Sequence, residues 1–138
     1  MRAKDYMLGI QAKSRAIERK LDTIRLLAER AEHITATLGG AKVASSSTGG
    51  TIESCVTQMV VLEGEIKEQA RDYSEAIEEC SKMLDLIEPN YSEILYKRYF
   101  EGETWERIAC DMGYTYQWVC VLHGRALQRI QPMVDELI

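Results

Sequence analysis

Apolar side chains recur at alternating intervals of four and three residues along two stretches of nearly equal length. A chain patterned this way is committed to long helices. The first set is Ile10, Ser14, Ile17, Leu21, Ile24, Ala28, Ala31, Thr35 and Leu38. The second is Ile52, Val56, Met59, Glu63, Ile66, Ala70, Tyr73, Ile77, Cys80, Leu84 and Ile87. The spacing predicts one helix over about residues 3–38, on the order of 50 Å long, and a second over about 51–87. Gly39-Gly40 ends the first, because glycine tolerates the left-handed cap. Thr51 or Ser54 offers the N-cap oxygen of the second. Glu88-Pro89-Asn90 stops it, since a residue before proline disfavours the helical region. Residues 39–51 between them are rich in glycine and serine and carry no period, which reads as a flexible connector.

Two seams of matching length joined by a short linker predict an antiparallel helical hairpin, with Ile17, Leu21 and Ile24 facing Ile66, Tyr73 and Ile77. Charge agrees with this pairing. Residues 1–38 carry 8 basic and 5 acidic side chains, whereas 52–88 carry 3 basic and 10 acidic, so the flanks attract. Ser14, Thr35 and Glu63 interrupt the seams, and two helices bury little surface alone. A homo-oligomer is therefore expected. Glu63, Glu65 and Glu68 read as a solvated acidic face rather than a metal or catalytic cluster, for no histidine lies near them in sequence.

Several functional classes fall away. No run of about 18 apolar residues exists to cross a membrane, and the first six residues lack the apolar stretch behind them that a secretory leader needs. Cys55, Cys80, Cys110 and Cys120 form no C-x-x-C pair, so neither zinc nor a disulfide is expected, and isolated thiols suit a reducing cytoplasm. There is no P-loop, nucleophile elbow or H-E-x-x-H pattern. No enzymatic activity and no cofactor are expected.

The last third is patterned differently. Residues 91–100 read as a helix with Ile94 and Leu95 inward, and Glu101-Gly102-Glu103 as a break. Thr104 can cap a short helix from Trp105 to Asp111, with Trp105, Ile108, Ala109 and Met112 on its inner face. Gly113 can adopt a positive φ in the turn that follows. Thr115 can cap a final helix to about Ile130, with Val119, Leu122, Ala126 and Ile130 as its buried stripe. A short helix, a glycine turn and a capped second helix are the parts of a helix-turn-helix. The division implied is a helical hairpin over 1–88 and a DNA-binding domain over 89–138.

Glu103-Thr104-Trp105-Glu106-Arg107-Ile108-Ala109, then Met112-Gly113-Tyr114-Thr115, Val119 and Arg125-Ala126-Leu127, resembles region 4 of bacterial sigma factors. The chain is similar in particular to small phage and prophage proteins that join a helical N-terminal part to a sigma-like helix-turn-helix, among them the ArpU-like and RinA-like late transcription regulators. The stretch Trp118–Leu127 shares the look of that group, as does Lys42-Val43-Ala44-Ser45-Ser46 followed by Val61–Ile66. The stronger match covers about a third of the chain. It implies that Tyr116, Gln117, Trp118 and Val121 face the major groove of double-stranded DNA, where Gln117 can pair with adenine and Val121 can pack on a thymine methyl. It implies phosphate contacts from Lys97, Arg98, Arg107, Arg125 and Arg129, and a place in the cytoplasm of a bacterial host cell; Thr115 and His123 are further candidates for phosphate, although His123 reads first as an ordinary surface or packing histidine.

One departure bears on affinity. Sigma region 4 has arginines in the first turns of this helix, where this chain has Tyr116, Trp118 and Cys120. Fewer cations release fewer counterions, so each copy binds DNA more weakly, and an oligomer compensates. The net charge of −5 points the same way, although residues 89–131 are themselves neutral. Three readings follow: a transcription regulator acting as an oligomer, a DNA-packaging adaptor of the small-terminase kind, or a module of this fold that binds RNA polymerase or another protein instead of DNA.

Overall fold

The computed structural model describes residues 1–38 and 46–137, and every element among them is helical. Helix α1 spans Ala3–Leu38, α2 Ser46–Leu84, α3 Pro89–Leu95, α4 Trp105–Met112 and α5 Tyr116–Glu136. Directly after α3, residues Tyr96–Phe100 widen into a π turn, closed by the Glu101 amide donating to the Tyr96 carbonyl at 3.1 Å. No helix among the described residues is long and apolar enough to cross a membrane. The Gly39-Gly40 stop, the Leu38 side chain and the linker as far as residue 45 lie outside the described residues.

Three boundaries differ from the sequence reading. Helix α2 begins at Ser46, so the expected connector stops short of Thr51, and Thr51 and Ser54 lie inside the helix rather than at its cap. Glycine weakens a helix by about 1 kcal/mol without forbidding it, and Gly49-Gly50 is carried through. At its other end α2 stops at Leu84, before the proline. The Leu84 carbonyl accepts from the Ser92 hydroxyl, and Pro89 serves as the first residue of α3, where its missing amide costs nothing. Helix α5 continues past Ile130 to Glu136 with Pro132 inside it. One lost backbone bond at a solvent-exposed position is offset by burial of Val134.

The chain divides into two compact units, one formed by residues 1–14 with 73–138 and the other by 15–72. The boundary expected at 88–89 falls inside the first. That unit holds two apolar clusters. In the larger, Met7 and Ile10 of α1 and Cys80 and Leu84 of α2 meet Leu95 and Tyr99, and Ala126, Ile130 and Val134 of α5. In the smaller, Ile94 of α3 and Ile108 and Ala109 of α4 meet Val119 and Leu122 of α5. Polar ties reinforce the larger cluster. The Ala3 amide, one of the unpaired donors of the first turn of α1, donates to Gln131 Oε1 at 2.7 Å, and Gln131 Nε2 donates to the Met1 carbonyl at 2.9 Å. The Tyr6 hydroxyl donates to Glu79 at 2.9 Å, and Cys80 Sγ lies 3.7 Å from Met7 Sδ. Tyr73 and Ile77, expected opposite Ile17, Leu21 and Ile24, pack against this same cluster.

The second unit is thinly buried. Cys55 is its one fully buried hydrophobic residue among the described ones. Lys20 Nζ lies 3.1 Å from Glu65, joining α1 to α2. Alternate seam positions stand as expected, with Ile17, Ile24, Ile52, Met59 and Ile66 half-buried. The positions between them are displaced by one residue: Lys20, Ile34, Cys55, Leu62 and Gln69 are sheltered, while Leu21, Thr35, Val56, Glu63 and Ala70 are exposed. The layer falls three residues after Ile17, Ala31, Ile52, Met59 and Ile66 instead of four; after Ile24 both Leu27 and Ala28 are half-buried. A 3.6-residue period allows either phase, and Leu21 and Val56, both apolar, hid the choice.

Gln69 carries the cost of that phase, because its Oε1 is out of water without a hydrogen-bond partner among the described residues. Replacing an unsatisfied buried amide with a hydrocarbon of similar size removes a desolvation penalty of about 1–3 kcal/mol. Gln69→Leu is expected to raise the thermal midpoint followed by circular dichroism. Ala70→Leu, on the exposed neighbour, is expected to change stability by less than about 0.5 kcal/mol. A larger gain from Ala70→Leu would reverse the assigned phase.

Candidate nucleic-acid interface

The α4–α5 corner is built by three local devices, each readable from its residue type. Thr104 enters α4 in an extended conformation and its hydroxyl accepts from the Arg107 amide at 3.2 Å. Gly113 leaves α4 with φ 69°. The Tyr114 amide then donates to the Ala109 carbonyl at 2.9 Å and the Gly113 amide to Cys110 at 3.3 Å, the paired bonds of a Schellman cap. A Cβ at Gly113 would meet nothing within 4 Å, so the glycine is required by its dihedral alone. Tyr114 folds back on the Ile108–Ala109 cluster. Thr115 caps α5, accepting from the Trp118 amide at 3.1 Å. The expected inner faces are both present: Ile108, Ala109, Val119 and Leu122 are buried, with Trp105 and Met112 partly so.

Burial of Val119 and Leu122 sets which side chains of α5 point away. Tyr116, Gln117, Trp118 and Val121 are all exposed, and with Cys120 and Arg125 they cover the first turns of the helix. The Arg125 guanidinium lies 5.3 Å from the centre of the Trp118 ring, close enough for a cation–π contact that holds both side chains over one surface.

The expected phosphate contacts are placed less uniformly. Lys97 is largely buried, its ammonium 4.0 Å from Glu93 and 3.9 Å from Asp111. Arg107 pairs with Asp111 at 3.3 Å and Arg129 with Glu88 at 3.1 Å, both at the surface. Arg98 lies 4.3 Å from the Trp105 ring centre and donates through Nη1 to the Glu103 carbonyl at 2.9 Å, which pins the 101–104 loop. Arg98 and Arg125 form no ion pair among the described residues. Thr115 has its hydroxyl oxygen engaged in the helix cap.

His123 is packed among aromatic side chains, in line with the packing alternative the sequence offered for it. Its Nε2 shares a 2.8 Å hydrogen bond with the Tyr99 hydroxyl, its ring stacks on Tyr99, and Trp105 meets it edge-on with centroids 4.6 Å apart. Burial, then the nearby charges of Lys4 and Arg98, pull its pKa down to about 4. With Nε2 engaged by Tyr99 and the ring held between Tyr99 and Trp105, His123 is less open to a phosphate than the exposed Arg125. Arg98 and Tyr99, the two members of this cluster that precede Trp105, both lie in the π turn. Nothing in the spacing of residues 91–100 announced that turn. The aromatic run Tyr96, Tyr99, Phe100 and Trp105 was its one outward sign.

The four thiols are free, Cys55 and Cys80 buried, Cys110 and Cys120 exposed, and burial pushes the Cys80 thiol up to about 12. Among the described residues no group of three or more His, Cys, Asp or Glu side chains is placed to hold a metal ion.

The His123 environment makes a pH prediction. Its folded pKa lies below the unfolded value near 6.5, so the unfolded chain takes up the proton first. Stability is therefore full above about 6.5 and declines as pH falls toward about 4. Urea midpoints at pH 7.5 and 5 are expected to show this loss in the wild type. In His123→Gln, which has no proton to take up, the loss is expected to shrink. An unchanged slope in the variant would remove His123 as its source.

Comparison of the chain with protein-family models, with curated proteins and with solved structures gives no match.

Proposed function

We propose that the protein is a sequence-specific DNA-binding regulator of transcription, of the phage and prophage kind its α4–α5 segment resembles, and that it acts as an oligomer through α1 and α2. The observation that carries this reading is the α4–Gly113–α5 corner. Its Thr104 cap, Gly113 turn and Thr115 cap are the devices a helix-turn-helix would use, and burial of Val119 and Leu122 leaves Tyr116, Gln117, Trp118 and Val121 exposed at the start of the second helix. Unpaired amides in that first turn favour a nearby phosphate, and Arg125, over the Trp118 ring, forms no ion pair among the described residues.

The oligomer follows from the 15–72 unit. Lys20 and Glu65 are in contact and lie at nearly equal distances along the chain from the facing helix ends, Leu38 and Ser46. That is the relation expected of an antiparallel hairpin. Such a hairpin has no third layer, and Leu21, Val56 and Val60 are left between 47% and 62% exposed. A second copy would cover that surface and would double the number of DNA modules in one assembly.

The state of the cations favours one competing reading. With Lys97, Arg107 and Arg129 each held by a carboxylate, few are free to displace counterions. The exposed Tyr116, Trp118 and Val121 are also the residue types of a protein-binding surface. In that reading the same face of α5 docks on RNA polymerase or another protein.

The two separate on DNA itself. Gln117→Ala is expected to cost about 1–3 kcal/mol at one base position and to relax specificity there. Arg125→Ala should weaken binding to every sequence alike and lower the salt slope by about one. Shift assays on the DNA around its own gene, at two salt concentrations, read both. If both folded variants bind as the wild type does, the protein-binding reading takes over. Light scattering should give a mass above one chain, and Leu21→Glu with Val60→Glu should return it to one.

A further inference from the structure

The last turns of α2 and α5 enclose an open groove of about 600 Å³ within the first unit. Its apolar lining is Met83, Leu86, Met133 and Leu137. Leu86 is 76% exposed, the highest value among the large apolar side chains of the described residues, and Leu137 is 45% exposed. Single exposed leucines are ordinary, but two that flank a groove containing two methionines form a contiguous apolar surface awaiting cover. Methionine has three rotatable bonds and a polarisable sulfur, so such a lining adapts its shape to an inserted side chain.

The rim selects the partner. Glu75, Glu78 and Glu136 border the groove together with Glu79, against one cation, Lys82, which is already 3.6 Å from Glu78. This excess of carboxylates repels nucleic acid and anionic lipid headgroups alike. It attracts a segment that brings its own cations alongside apolar side chains. We infer that the groove is a docking site for a basic amphipathic helix of a partner protein, with apolar residues at three- and four-residue spacing seated on Leu86 and Met133 and with Lys or Arg against the glutamates. A second copy of this chain is a poorer occupant. Its basic helix, α1, already turns Ile17, Ile24 and Leu27 inward.

The inference stands apart from the DNA reading. Trp118 and Met133 are separated along α5 by on the order of 20 Å, so a partner in the groove leaves the first turns of α5 open.

The probe is a fluorescent synthetic peptide of about 18 lysines and leucines with the leucines on one helical face, alongside a peptide of the same composition with the leucines dispersed. Fluorescence anisotropy against the full chain is expected to show the patterned peptide binding about ten-fold or more tighter than the dispersed one. Leu86→Glu and Glu78→Lys should each remove about ten-fold of that affinity. Both side chains are exposed, so circular dichroism should not change. Equal binding of the two peptides, which would mean charge attraction alone, overturns the inference, as does indifference to both substitutions. It is also overturned if Leu86→Glu alone lowers the mass in light scattering without peptide, which would make the groove a contact between copies.

Discussion

The buried stripe of α5 holds the first unit together. Val119 and Leu122 close a small core with α3 and α4, while Ala126, Ile130 and Val134 close a larger one with the ends of α1 and α2. Helix α3 divides its neighbours in the same way, sending Ile94 to one core and Leu95 to the other. Burying a side chain of this size is worth about 1.5–3 kcal/mol, so the smaller core, with five buried residues, contributes little alone. Each core depends on α5 being straight and continuous enough to serve both. The aim of Gln117 at one end of that helix is thus tied to the packing of Val134 at the other.

Legibility in the sequence followed how local each determinant is. Thr104, Gly113 and Thr115 act within a few residues, so the α4–α5 corner and its inner faces were readable from residue type and spacing. The two long helices were readable as well, because their period repeats many times. The phase of the seam was not. Leu21 and Val56 fit a four-residue step as well as Lys20 and Cys55 fit a three-residue one, and only the facing helix decides. The continuation of α5 past Pro132 and the shelter of His123 rest on contacts with chain far away in sequence, which no local pattern encodes. The same holds for the pairing of Lys97 with Asp111, which changes the meaning of a residue that looks from sequence like a free cation.

Those pairings also show how a chain of net charge −5 distributes its electrostatics. Carboxylates gather on the second half of α2 and at the end of α5, around the groove at Leu86. Near the α4–α5 corner most cations are matched by an acid or laid on an aromatic ring, as Arg98 is on Trp105 and Arg125 on Trp118. A surface of that kind has few unpaired cations to offer a polyanion, so any attraction to one would depend less steeply on salt than that of an arginine-rich helix.

The tie between Gln131 and the first turn of α1 has a bearing on how the chain reaches this state. Residues 1–14 complete a core whose other members begin at Tyr73, and the Ala3 amide finds its acceptor only once the last helix exists. During synthesis the first helix emerges long before its permanent neighbours. Met7 and Ile10 must wait in water or in transient company, and the intervening segment becomes a loop that has to be closed. This unit therefore holds contacts of large sequence separation that its helical content alone would not suggest, the kind that lengthen the search for the native state.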